Sequence, residues 1–83
     1  MTELEMFAKL PQLSEDYKKT NFSYIPTLSL INNILADNTI QVQYIVCWVH
    51  TDIHDVLEQY FIADIPEEAI RNAYEWCKEN DLI

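Results

Sequence analysis

The sequence predicts a mainly α-helical domain: three short helices in a helix-turn-helix arrangement, preceded by a short β-hairpin. Three observations carry this expectation. Val42, Ile45, Val46 and Val49 stand at i, i+3, i+4 and i+7, and Ile53, Val56, Leu57 and Tyr60 repeat that spacing. Ile70, Ala73, Tyr74 and Cys77 repeat it again, with Ala69 and Trp76 widening the stripe. The spacing gathers apolar side chains on one face of a helix. Three such helices joined by short turns bury their stripes against one another.

Each element has its own local signals. Residues 2–10 predict a short helix, with Thr2 and Glu5 as a capping box, Leu4, Phe7 and Ala8 on one face, and Pro11 ending it. Residues 12–22 are polar and read as loop. Pro26 forbids a helix interior, and Leu28, Leu30 and Ile31 suggest a strand. The run Ala36-Asp37-Asn38-Thr39 is a turn signal, because Asp and Asn side chains stabilise turns and tolerate left-handed backbone. A strand over Thr39–Val42 pairs back as the hairpin. Thr51 or Asp52 can cap the second helix of the trihelical unit. Asp64 with Glu67 can cap the third, with Pro66 in its first turn. Residues 1–38 then form an N-terminal extension and residues 39–83 the trihelical domain.

The totals limit the function classes. Eighty-three residues make one small domain, and a 49% hydrophobic content argues for a folded chain. Fourteen acids against five bases give a net charge of −9. Nucleic-acid affinity comes largely from Lys and Arg displacing phosphate counterions, so this chain is a poor nucleic-acid binder as a monomer. It suits a basic protein partner. The chain has no glycine, which excludes glycine-dependent phosphate loops. Two cysteines are too few for a disulfide framework. No apolar run reaches membrane-spanning length and no basic-then-apolar leader opens the chain, which predicts a cytoplasmic protein.

Chemical candidates are few. Cys47, His50, His54 and Cys77 are the soft-metal ligand types, spaced C-x2-H-x3-H with a distant fourth. Zinc sites usually draw two close pairs, and both cysteines occupy apolar positions, so neither metal nor cofactor is expected. Asp52, Asp55, Glu58, Glu67, Glu68 and Glu75 read as a solvated acidic face rather than an acid–base pair. No spacing suggests a nucleophile with its base, so no catalytic residue is expected.

The segment "DIHDVLEQYFIADIPEEAIR", residues 52–71, has a helix-turn-helix outline. Recognition helices present Arg, Lys, Asn or Gln to base edges at their N-terminal end. Here that end carries Glu67 and Glu68, and only Arg71, Asn72 and Lys78 are available to contact DNA. The aromatic residues Tyr44, Trp48, Tyr60, Phe61, Tyr74 and Trp76 exceed what three short helices fully bury, and aromatics are favoured interface anchors.

The string "TIQVQYIVCWVHTDIHDVLEQYFIADIPEEAIRNAYEWCKEN" resembles the family called domain of unknown function 433. Ile40 and Val42 match its I-x-V step. Asp55-Val56-Leu57-Glu58-Gln59-Tyr60 matches a second motif, and Ile65, Glu68, Ile70, Ala73, Tyr74 and Trp76 match a third. The match covers the C-terminal half. The resemblance implies a homeodomain-like or winged-helix-like domain. It also implies an antitoxin role, silencing a PIN-like ribonuclease toxin by binding it. Departures stand where the family carries G-T-R, here Asp37-Asn38-Thr39, and where it carries Gly between its first two helices, here His50-Thr51.

The expected function is therefore a non-enzymatic interaction protein that docks on a basic partner such as a nuclease toxin. Trp48, Tyr60, Phe61 and Trp76 serve as its anchors, and Glu67, Glu68 and Glu75 as its steering charges. The alternatives are a homodimeric DNA-binding regulator using Arg71, Asn72 and Lys78, and an acidic DNA mimic that inhibits a DNA-binding enzyme.

Overall fold

A computed structural model describes all 83 residues and shows an α+β fold, not a trihelical one. Helix α1 (Glu3–Ala8) is followed by strands β1 (Tyr24–Ile34), β2 (Ile40–His50) and β3 (Val56–Ala63), and then by helix α2 (Pro66–Glu79). The strands form one antiparallel sheet in the order β1-β2-β3. Two of the three expected helices are thus strands, and the helix-turn-helix, homeodomain-like and winged-helix-like readings are overturned.

The reason is physical. Residues 42–49 are an almost unbroken apolar run, and such a run matches a helical spacing whatever its conformation. Its β-branched and aromatic residues, Val42, Tyr44, Ile45, Val46, Trp48 and Val49, favour a pleated strand. In residues 56–63 the alternation was also present. Leu57 and Ala63 are buried with Gln59 and Phe61 half-buried, while Val56, Glu58, Tyr60 and Ile62 are exposed. Thr51–Asp55, expected to start a helix, is the connection between β2 and β3.

The turn expected at residues 36–39 does join two strands, but each runs eleven residues. Leu35 and Thr39 close it, Asp37 Oδ1 accepts from the Thr39 N–H and hydroxyl, and Asn38 takes the left-handed conformation (φ 66°). Those hydrogen bonds hold the Asp37 carboxyl below its ordinary pKa. Without glycine, three other left-handed positions fall to Tyr17, Ser23 and Asp81.

Both helices form where the sequence places them, but the expected Asp64 cap of α2 does not form. Thr2 and Glu5 form the expected capping box of α1. Pro66 opens α2, which buries Ala69, Ile70, Ala73, Tyr74 and Cys77. Its N-cap is Ile65 without a side-chain cap, since Asp64 accepts from Gln43 Nε2 instead. Its C-terminus is a Schellman motif. Leu82 N–H donates to the Cys77 carbonyl, Asp81 N–H to that of Lys78, and Leu82 is buried.

Pairing register assigns the faces of the sheet. Tyr24, Val46, Trp48, Phe61 and Ala63 lie on the face beneath α2. Ile25, Thr27, Ile45, Cys47, Val49, Tyr60 and Ile62 lie on the opposite face, which carries no helix. One core joins Leu10, Leu13 and Tyr24 to Trp48, Leu57, Ala73 and Cys77, so residues from both sides of position 38 share it. An eleven-residue strand spans about 36 Å and a fourteen-residue helix about 21 Å. The hairpin therefore extends past the helix layer, leaving Leu30, Ile34, Ile40 and Val42 exposed.

A polar clamp fixes the other end of the sheet. Tyr24 is buried, its ring meets His50 edge-on at 5.0 Å, and its hydroxyl donates to Asp55 Oδ2 at 2.5 Å. His50 Nδ1 accepts from the backbone N–H groups of Asp52 and Ile53. The hydrogen bond to Asp55, then burial, then the Asp55 charge push the Tyr24 phenol from 10.0 up to about 12. Between those values the unfolded chain releases this proton and the folded chain keeps it. The stabilisation is complete below pH 10 and is lost as pH rises through about 12. Alkaline unfolding of Tyr24→Phe should accordingly show a shallower loss of stability across this window than the parent chain. Equal slopes in urea titrations at stepped pH would refute the clamp.

Candidate functional site

Helix α2 presents Glu67, Glu68, Arg71, Asn72, Glu75, Lys78 and Glu79 to solvent, followed by its exposed C-cap Asn80. The two cations on this face are already engaged. Arg71 Nη2 donates to Glu3 Oε1 at 3.0 Å, which lowers the Glu3 carboxyl below its ordinary range. Lys78 Nζ lies 5.7 Å from the centre of the Tyr74 ring. An exposed ion pair of this kind adds little stability, but it does occupy the guanidinium. The outward field of the helix is left to Glu67, Glu68, Glu75 and Glu79. Arg71, Asn72 and Lys78, the candidate DNA contacts, are interleaved with these acids on the same face.

The expected aromatic anchors separate into two places. Trp48 is fully buried, and its Nε1–H donates to the Pro11 carbonyl at 2.9 Å. Its ring lies 5.8 Å from Trp76 and 6.4 Å from Phe61, with Phe61 and Trp76 5.9 Å apart. This triad is the joint between sheet and helix. Tyr60 is half-exposed on the opposite sheet face, paired in register with Cys47. Of the predicted aromatic anchors, Trp76 is the one carried by α2 itself, beside its acids, and it retains some exposed surface.

Trp76 forms one wall of a cleft between β3, the end of α2 and the loop before β1. Tyr17, Glu58, Gln59, Trp76 and Asn80 line its volume of about 440 Å³. Tyr17 meets Trp76 edge-on at 6.1 Å and 77°. The Tyr17 backbone is left-handed (φ 60°), unusual for a bulky residue and held by local hydrogen bonds. Tyr17 N–H donates to the Ser14 carbonyl and Lys18 N–H to Ser14 Oγ. Asn80 Nδ2 donates to the Trp76 carbonyl, which leaves its Oδ1 as an acceptor. Two aromatic rings, one carboxylate and two amides suit a cationic group that is also partly apolar. A larger open hollow of about 630 Å³ is lined by Leu10, Pro11, Gln12, Lys19, Thr20 and Asn21. It has no aromatic wall, and its only charged group is a lysine, so its greater size does not make it the better site.

Sequence reasoning did not single out Tyr17, Gln59 or Asn80 as site residues. The one available signal was Tyr17 itself, an aromatic within a polar stretch.

The metal-ligand types do not converge. Cys47 lies on the helix-free sheet face, 3.4 Å from Thr27 Oγ1, and Cys77 is buried in the core beneath the other face. Burial pushes the Cys77 thiol up to about 11, which leaves it a protonated, apolar packing group. No group of three or more His, Cys, Asp or Glu side chains is placed to hold an ion. No helix is long and apolar enough to cross a membrane.

Fold and cleft together define a small α+β domain with an acidic helix face beside an aromatic recess. No family model, curated protein or solved structure matches this chain.

Proposed function

We propose that this chain is a non-catalytic interaction module that binds a basic protein and seats one of its lysine or arginine side chains in the cleft between β3 and α2. The observation that carries this reading is the composition of that cleft: the Tyr17 and Trp76 rings beside the Glu58 carboxylate. A cation over an aromatic face gains about 0.5–1 kcal/mol at exposed sites and more when desolvated. A carboxylate at the same recess adds a charge-assisted hydrogen bond. Glu67, Glu68, Glu75 and Glu79 supply the field that draws a basic surface toward it. A basic ribonuclease silenced by docking, as the family resemblance implies, is a partner of this kind. The DNA-binding reading is weaker, because Arg71 is held by Glu3 and its neighbours are acids.

The test is affinity capture from the native host with the parent chain and with Glu58→Lys, followed by titration of the captured partner. The partner should carry net positive charge and lose affinity as salt rises. Glu58→Lys should weaken it roughly tenfold or more. A partner whose affinity ignores both salt and Glu58→Lys would sink the proposal.

A further inference from the structure

We infer that two copies of this chain pair through the free edge of β1, forming one continuous antiparallel sheet across a two-fold axis at Leu30. This inference is independent of the cleft.

The edge is defined by hydrogen bonds. Tyr24 exchanges both of its backbone bonds with Leu13, N–H to carbonyl at 3.0 Å and carbonyl from N–H at 2.9 Å, on the side away from β2. Backbone groups alternate along an antiparallel strand. Pro26, Leu28, Leu30, Asn32 and Ile34 therefore also point outward, where no element of the chain meets them. Pro26 fits that placement, since a proline in a strand needs its nitrogen on an unpaired edge. The Leu13 bridge closes the edge at Tyr24, and the turn ends it after Ile34. The free stretch runs from Pro26 to Ile34, and its midpoint is Leu30. An antiparallel copy centred there pairs Leu28 with Asn32 of its mate, and at either end Pro26, which has no N–H, can only accept from Ile34 of the mate, so the ladder is complete from Leu28 to Asn32 and stops short of Leu13.

Charge selects a second copy as the occupant. The chain carries −9, yet the only charged residue between Tyr24 and Val49 is Asp37 at the hairpin tip. Two copies meeting at any surface rich in the other thirteen acids would juxtapose carboxylates, whereas at β1 they do not. A strongly charged partner would find no counter-charge on this edge. Three of the outward positions are apolar and open, with Leu28 40%, Leu30 62% and Ile34 77% exposed, and Asn32 is polar but uncharged. A standard interface takes about 800 Å² from each partner, against the 5643 Å² surface of the chain. The β1 edge with the uncovered hairpin end, charged only at Asp37 on the tip, is the region suited to supply it. The helix-free sheet face competes less well, because its backbone is already paired and Thr27, Ile45 and Cys47 are partly shielded. A two-fold strand pair is also self-complementary, as an isologous contact must be.

Sedimentation velocity of the full chain at rising concentration tests this, with backbone hydrogen exchange on the same samples. The parent chain should reach twice its 9.8 kDa mass. The amides of Leu28, Leu30 and Asn32 should gain protection as it does. Leu30→Lys places two ammonium groups against each other across the axis and should raise the dissociation constant about tenfold or more. Its circular dichroism should be unchanged, because Leu30 supports no core residue. Leu28→Lys is a second variant with the same expectation. A parent chain that stays monomeric at high micromolar concentration overturns the inference. So does a dimer indifferent to both variants, or one whose β1 amides gain no protection.

Discussion

Trp48→Ala should cost about 3–5 kcal/mol of folding stability, a large share of the total for a domain of this size. Trp48 has no exposed surface, and its ring meets both Phe61 and Trp76. The substitution removes the central ring of the sheet–helix joint and leaves a cavity that Val46 and Ala73 are too small to fill. It also takes away the donor to the Pro11 carbonyl, so the segment linking α1 to the loop loses its tether. Urea unfolding followed by far-ultraviolet circular dichroism measures the effect. A loss below about 1 kcal/mol would mean that the joint is not where the fold is held. Tyr60→Ala is the matched control: Tyr60 lies half-exposed on the other face and should cost far less.

Leu13→Ala should be the second severe change, at about 2–5 kcal/mol. Leu13 is completely buried, although it stands in a polar stretch between Pro11 and Phe22. Its side chain enters the core with Leu10 and Tyr24, and its backbone is bridged to Tyr24. Losing it should also loosen Tyr17 from Trp76, so partner affinity should fall together with stability. Tryptophan fluorescence and thermal unfolding on one sample read both effects. Leu28→Ala, at a leucine exposed by 40%, provides the comparison. Similar costs at the two positions would contradict the burial pattern.

These two residues also show what the sequence could and could not convey. The terminal helices were legible because their signals are local. A capping box defines α1. Pro66 and a clean stripe from Ala69 to Cys77 define α2. The turn at Asp37-Asn38 was legible for the same reason. The central strands were not, because Val42–Val49 is apolar nearly throughout and satisfies a period of 3.6 as easily as one of 2. Residue chemistry should have decided it: three valines, an isoleucine, a tyrosine and a tryptophan in eight positions suit a strand. Leu13 was hidden because its burial depends on a long-range bridge that no local pattern announces. The candidate site was half legible. Glu67, Glu68 and Glu75 are solvent-facing as the stripe of α2 requires, while the cleft depends on Tyr17 reaching Trp76 across the fold.

The projection of the hairpin past the helix layer bears on the order in which the molecule assembles. Its strands meet through a turn closed between Leu35 and Thr39, so this pairing needs little loop closure and can form within about 1–10 microseconds. An isolated hairpin is at best marginally stable in water. The commitment to fold is therefore expected at the later event, when β3 joins and α2 brings Trp76 down onto Trp48. Substitutions at that joint should slow folding, whereas changes at the hairpin tip should leave the folding rate almost untouched.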